Sequence, residues 1–254
     1  MEKKVNWKWL PFTVAALGMA GLLLRRLLYS VAVDHKGLLV SGHPLELGLW
    51  AVTAVAVAVF SVAAWKLDGS NAYEDNFSPS VKAAVCHILA GAGLLLTVLL
   101  NEPTLPGTMG KAWKLLGLLS GAAMAAAGFF RVLGRKPWFW LHLLPGVFLA
   151  LHLLNRFQTW SADPQMMDYL FSLAGAVALL MFSIQTASFA VGLGNRRLHL
   201  FWGLMALYCC TVNVLSPYPG LYLGGALWTG GDLCSLEPKP KKVEDKGENP
   251  GETA

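Results

Sequence analysis

Seven or eight long apolar segments, separated by short polar turns, occupy this chain from Trp7 to Leu236. A hydrocarbon core about 30 Å thick is crossed by a helix of about 20 apolar residues. Backbone in lipid must satisfy its own hydrogen bonds, which a helix does within a single segment. The pattern therefore predicts an all-α, polytopic transmembrane helix bundle. Charged residues make up 14% of the 254 residues, against roughly a quarter in soluble domains. The spans and their turns consume the length, so no soluble catalytic domain is left over, and any chemistry must lie between helices or in short loops.

Turn residues and charges place the spans at 7–24 (or on to 33), 45–65, 81–100, 109–133, 138–155, 164–192, 198–215 and 218–236. The first run is followed by Arg25 and Arg26 rather than by a small-residue cleavage site, which predicts an uncleaved span. Asp163 is a natural N-cap for the sixth span, with Pro164 at its first helical position. The eighth span is the weakest, being glycine-rich and carrying Asp232.

Charge asymmetry decides whether the eighth span counts. With eight spans and the N-terminus inside, Arg25, Arg26, Lys36, Lys111, Lys114 and Arg156 lie outside, 6 of the 20 Lys and Arg, and 14 remain inside. With seven spans the tail changes sides and the split is 10 against 10. Positive residues favour the cytoplasmic side, so eight spans with both termini cytoplasmic are expected, and seven is the alternative. Residues 1–236 then form the transmembrane domain. Residues 237–254, rich in Pro, Lys and Glu, read as a disordered cytoplasmic tail.

The net charge of +5 reflects these span-flanking cations, so it carries no implication of nucleic-acid binding. Trp7, Trp9, Trp65, Trp113, Trp138 and Trp140 sit near span ends, as interfacial belts require. Cys86, Cys209, Cys210 and Cys234 lack metal-finger spacing and read as small apolar packing residues.

Four features could carry function, each with a plainer reading beside it. Asp168, Ser172, Gly175, Ser183 and Thr186 fall within about 80° on the sixth span. This stripe lines a ligand path, or its hydroxyls bond back to helix carbonyls. His87 and His142 both lie ~8 Å inside the cytoplasmic edge. They could ligate haem or a metal, or each could be a buried histidine bonded across helices. His152, Asn155 and Arg156 share a face of the fifth span, as an outer vestibule or as interfacial anchors. Gly117 and Gly121 sit at four-residue spacing, suited to packing inside one bundle or to a homo-oligomer interface. No Walker, GxGxxG, HExxH or GxSxG pattern occurs.

The stretch WSADPQMMDY at 160–169, with GLGNRR at 192–197, resembles uncharacterised bacterial multi-spanning membrane proteins. That resemblance covers roughly the second half of the chain. It implies a bacterial cytoplasmic (cell) membrane and no catalytic residue. The expectation is a non-enzymatic membrane protein, surrounded by the lipid bilayer, that binds or passes a small molecule or lipid, or serves in assembly or sensing. Asp168, Ser172, Ser183, Thr186 and Arg156 are the ligand-path candidates, and no cofactor is expected. The alternative is a haem-bearing electron-transfer subunit using His87 and His142.

Overall fold

The computed structural model describes residues 9–34, 39–40, 42–67, 71–161 and 166–237, without the side chains of 158–159 and 166–168. The expected Asp163 cap, Pro164, the Asp168 side chain and the tail beyond residue 237 lie outside the described residues.

Among the described residues, eight long helices follow the apolar pattern and one short polar helix joins them. They are α1 (Leu10–Val31), α2 (Pro44–Trp65), the short α3 (Tyr73–Asn76), α4 (Val81–Leu100), α5 (Gly107–Val132), α6 (Phe139–Trp160), α7 (Met166–Ala190), α8 (Arg196–Val212) and α9 (Pro219–Cys234). Starts and stops obey local chemistry. Ser80 accepts from the Ala83 amide, and Asn195 accepts from the Arg197 and Leu198 amides. Proline opens α1, α2 and α9, where its missing N–H costs nothing.

Among the described residues, five helices are long and apolar enough to cross a membrane: α1, α2, α4, α5, and α7 from Tyr169 onward. The two shortest of the eight long helices, α8 with 17 residues and α9 with 16, bury Arg196, His199, Thr211, Thr229 and Asp232 in the bundle. The outer surface is apolar over wide areas. Leu23, Leu47, Val55, Leu99, Leu115 and Phe157 are all exposed, which in water would be an aggregation hazard and in lipid is the required surface.

Six helices close into a ring. α4 packs on α5, α5 on α6, α6 on α7, α7 on α8, α8 on α9, and α9 back on α4. The α1–α2 pair stands outside this ring, against α8. Ala90, Leu94, Met124, Phe148, Leu179, Phe182, Tyr222 and Trp228 fill the ring's interior. Trp113 is buried with them, against Phe148 and His152, and so departs from the interfacial belt expected of it. Trp9, Trp65, Trp138 and Trp140 are exposed at helix ends.

Close approach at α4 depends on glycine. A Cβ added to Gly91 would lie 2.5 Å from the Gly121 carbonyl oxygen, and one on Gly93 would lie 2.6 Å from that of Gly220. Without a hydrophobic drive between helices in lipid, such backbone proximity provides the dispersion contacts that hold them together. Gly117 lies against Val98 and Phe148, and Gly121 against Leu95, so helices of the same chain cover this small-residue face.

Neighbouring ring helices run antiparallel through short connections. The starts of α4, α6 and α8 therefore meet the ends of α5, α7 and α9. The segment before α4 folds over this end. Phe77 forms an antiparallel bridge with Leu236, the Glu237 amide donates to Asn76 O at 2.8 Å, and the Gly194 amide donates to Asn71 O at 3.3 Å. Tyr73 and Phe77 lie 4.9 Å apart with their rings tilted, and Phe77 meets Phe189 edge-on. An aromatic cap thus closes one end of the ring.

Candidate functional site

Each ring helix supplies one polar side chain beneath that cap. They are His87 from the second turn of α4, Arg131 from the last turn of α5, His142 from the first turn of α6, Thr186 near the end of α7, His199 from the first turn of α8, and Asp232 from the last turn of α9. The antiparallel ring makes this possible, because three helix starts and three helix ends share one level. All six side chains are at most 2% exposed.

Asp232 is the centre. Arg131 Nη2 donates to Asp232 Oδ1, while Arg131 Nη1 donates to Ser235 Oγ at 3.2 Å. The guanidinium lies 4.4 Å from the Phe77 ring centroid and 5.4 Å from that of Tyr73, so the cap provides two π faces for it. His87 Nε2 lies 3.6 Å from Asp232 Oδ1, just beyond hydrogen-bond length. His87 and His142 meet edge-to-face at 6.2 Å. His199 lies 4.6 Å from the Phe182 ring, tilted against it, and reaches Thr186 Oγ1 with its Nδ1 at 3.5 Å.

The cluster is rich in polar atoms without a hydrogen-bond partner. They include Nε2 of His87, His142 and His199, Nε of Arg131, Oδ2 of Asp232, and Nε1 of Trp228. Buried polar groups are normally satisfied, and each exception calls for an explanation. The nitrogens can donate to or accept from a small polar guest, and the carboxylate can accept. His87 Nδ1 donates to Ala83 O at 2.8 Å. A neutral ring then turns the Nε2 lone pair toward the carboxylate, one acceptor facing another across 3.6 Å. Among the described residues, no three His, Cys, Asp or Glu side chains are grouped to hold a metal ion.

His87 and His142 lie side by side, with ring centroids 6.2 Å apart. His87 holds Nδ1 on the Ala83 carbonyl and turns Nε2 toward Asp232.

The stripe on α7 faces protein. Ser183 Oγ donates to His142 O, and Ser172 Oγ donates to Asn213 Oδ1 at 3.1 Å. Thr186 Oγ1 donates to Phe182 O at 2.8 Å within its own helix. Thr186 touches the cluster through His199, and Ser183 touches it through the His142 backbone, whereas Ser172 lies at the opposite end of the ring. At that end Arg156 Nη1 donates to Tyr218 Oη at 3.3 Å and lies over the Tyr218 and Trp160 rings. Asn155 Oδ1 accepts from the Thr104 and Leu105 amides at 2.9 and 3.0 Å, anchoring the α4–α5 connection. Helix α1 runs past Leu24 to Val31, which places Arg25 within it, and Arg25 Nη1 donates to Asn213 Oδ1 at 2.6 Å.

Sequence reasoning missed Arg131, Asp232 and His199 as a set. Arg131 counts there as one more cytoplasmic cation at a span end, and Asp232 only as a weakness of the eighth span. The usable signal was that an ionisable residue within a span is a functional candidate by default. No family model, curated protein or solved structure matches this chain.

Proposed function

We propose that this is a non-enzymatic, multi-pass protein of a bacterial cytoplasmic membrane that binds a small polar solute at the His–Arg–Asp end of its six-helix ring. In this reading eight helices span, both termini are cytoplasmic, and the capped end faces the cytoplasm. The 14-to-6 split of Lys and Arg supports the orientation. The apolar exterior supports the lipid environment.

One observation carries the binding reading. Five helices bring His87, Arg131, His142, His199 and Asp232 to one buried point and leave Nε2 of all three histidines without a partner. A purely structural ion pair needs none of these histidines. Burying two charges in the first place is rarely the cheapest way to hold helices together. A guest that bonds to the orphan atoms resolves both facts.

The test is ligand-induced stabilisation in phosphatidylcholine nanodiscs. A panel of amino acids, sugars, nucleosides and small carboxylates is titrated, and the thermal midpoint is read. One solute class should raise the midpoint of the wild type. His142→Gln removes an orphan nitrogen without uncovering a charge, so it should weaken that response by at least about tenfold, the worth of one buried hydrogen bond to a polar guest. Silence across the panel, or an equal response from His142→Gln, refutes the reading.

A further inference from the structure

Beside the buried cluster, a pocket of about 270 Å³ opens between the α3 segment and the α5–α6 turn. Tyr73, Glu74, Ser78, Arg131, Arg135 and Lys136 line it. Its size is below the roughly 300–1,000 Å³ typical of drug-sized ligands, and suits a small guest. Three cations face one carboxylate, Glu74, with Asp232 one layer deeper on Arg131.

The cations are held there by the local fold. Helix α5 ends with Gly134 at φ +65°, a conformation that glycine adopts without strain. The Gly134 amide donates to Arg131 O at 3.3 Å and the Arg135 amide to Phe130 O at 3.1 Å. These two bonds are a Schellman cap. It folds Arg135 and Lys136 back beside the Arg131 turn instead of letting them run on with the helix.

Two buried polar atoms on the wall lack partners. Arg131 is 2% exposed and its Nε has no acceptor, and Tyr73 is 6% exposed and its hydroxyl has none. Both are donors that an anion would satisfy. Burial pushes the Tyr73 hydroxyl up to about 12, so it remains a donor at neutral pH. Guanidinium groups match phosphate oxygens in fork geometry.

We infer that this vestibule is an anion site, taking a phosphate-type group on Arg131, Arg135, Lys136 and the Tyr73 hydroxyl. Arg131 touches both the vestibule and Asp232, so an anion bound here competes with Asp232 for the same guanidinium. The inference rests on reading the cluster as a solute site, and names the charge class of what approaches it. The phosphate group has two natural sources, a free anion or a lipid headgroup.

Inorganic phosphate is titrated into the full-length protein in phosphatidylcholine nanodiscs at constant ionic strength, with chloride as the control, and the thermal midpoint is read. A parallel arm replaces phosphatidylcholine by phosphatidylglycerol without added phosphate. Phosphate should stabilise the wild type where chloride does not. Arg135→Gln/Lys136→Gln, both exposed positions that leave the fold intact, should need at least about tenfold more phosphate, the equivalent of one charge-assisted contact. Stabilisation in the phosphatidylglycerol arm alone, abolished by the same pair, assigns the site to a headgroup. Equal responses of wild type and variant in both arms, or no response in either, overturn the inference. If the solute panel still answers to His142→Gln while phosphate does nothing, the anion inference falls alone. If phosphate answers to Arg135→Gln/Lys136→Gln while the panel is silent, the cluster reading falls alone.

Discussion

Asp232→Asn is the most demanding perturbation of this fold. The side chain keeps its shape but loses the charge that neutralises Arg131. Both groups are buried, at 0% and 2% exposure, and Arg131 has only Ser235 Oγ and two aromatic faces besides. Removing one partner of such a pair strands the other charge and costs about 3–5 kcal/mol. At about 1.4 kcal/mol per decade, the folding equilibrium falls roughly 150- to 5,000-fold. Arg131→Gln should cost a similar amount from the other side, leaving the carboxylate with only His87 at 3.6 Å. The double variant Arg131→Gln/Asp232→Asn strands no charge, and its amides can bond to each other. It should be more stable than either single variant. Reversible unfolding in mixed micelles with increasing dodecyl sulfate measures all four proteins as one double-mutant cycle. Single variants each within about 1 kcal/mol of wild type, with an additive double, would refute the argument that Asp232 and Arg131 are a buried, mutually dependent pair.

Three further outcomes are expected. Gly121→Leu should abolish folded protein in detergent, because a side chain there runs into Leu95 and the Gly91 backbone, whereas Leu119→Ala, on the exposed face, should cost about 0.5 kcal/mol or less; comparable yield and melting of the two would count against the close α4–α5 contact. The raised Tyr73 hydroxyl contributes stability that is complete below its ordinary value near 10 and is lost as pH rises toward about 12, so wild type should lose up to about 3 kcal/mol more than Tyr73→Phe across that window, and superimposed stability curves would remove the effect. A reporter active only outside the membrane, fused after Ala254, should stay silent if eight helices span; strong activity would return the topology to seven spans.

The helices were legible in the sequence because their cause is local. A run such as 81–100 must be helical in lipid whatever its neighbours are, since its backbone has no other partner there. The cap at Ser80 and the breaks at Gly134 and Pro219 are equally local. So was the shared depth of His87 and His142, which follows from counting rise per residue. The role of the α7 hydroxyls was not legible. Periodicity puts Ser172, Ser183 and Thr186 on one face, yet Ser183 reaches α6, Ser172 reaches α8, and Thr186 turns back on its own helix.

The sequence by itself determined that the chain is helical, apolar on its outer faces and asymmetric in charge, because hydropathy and capping act over a few residues. Only the tertiary structure decided which six helices close into a ring, and hence that Arg131 and Asp232, 101 residues apart, face each other beneath Phe77. The reason is physical. A lone charge near a span end is tolerable at an interface by reaching toward water. It becomes one half of a buried ion pair only when packing withdraws that water and sets the opposite charge and three histidines around it. That depends on glycine contacts such as Gly91 with Gly121 and Gly93 with Gly220. No single segment encodes such contacts, because each needs a small residue on two helices at the same height.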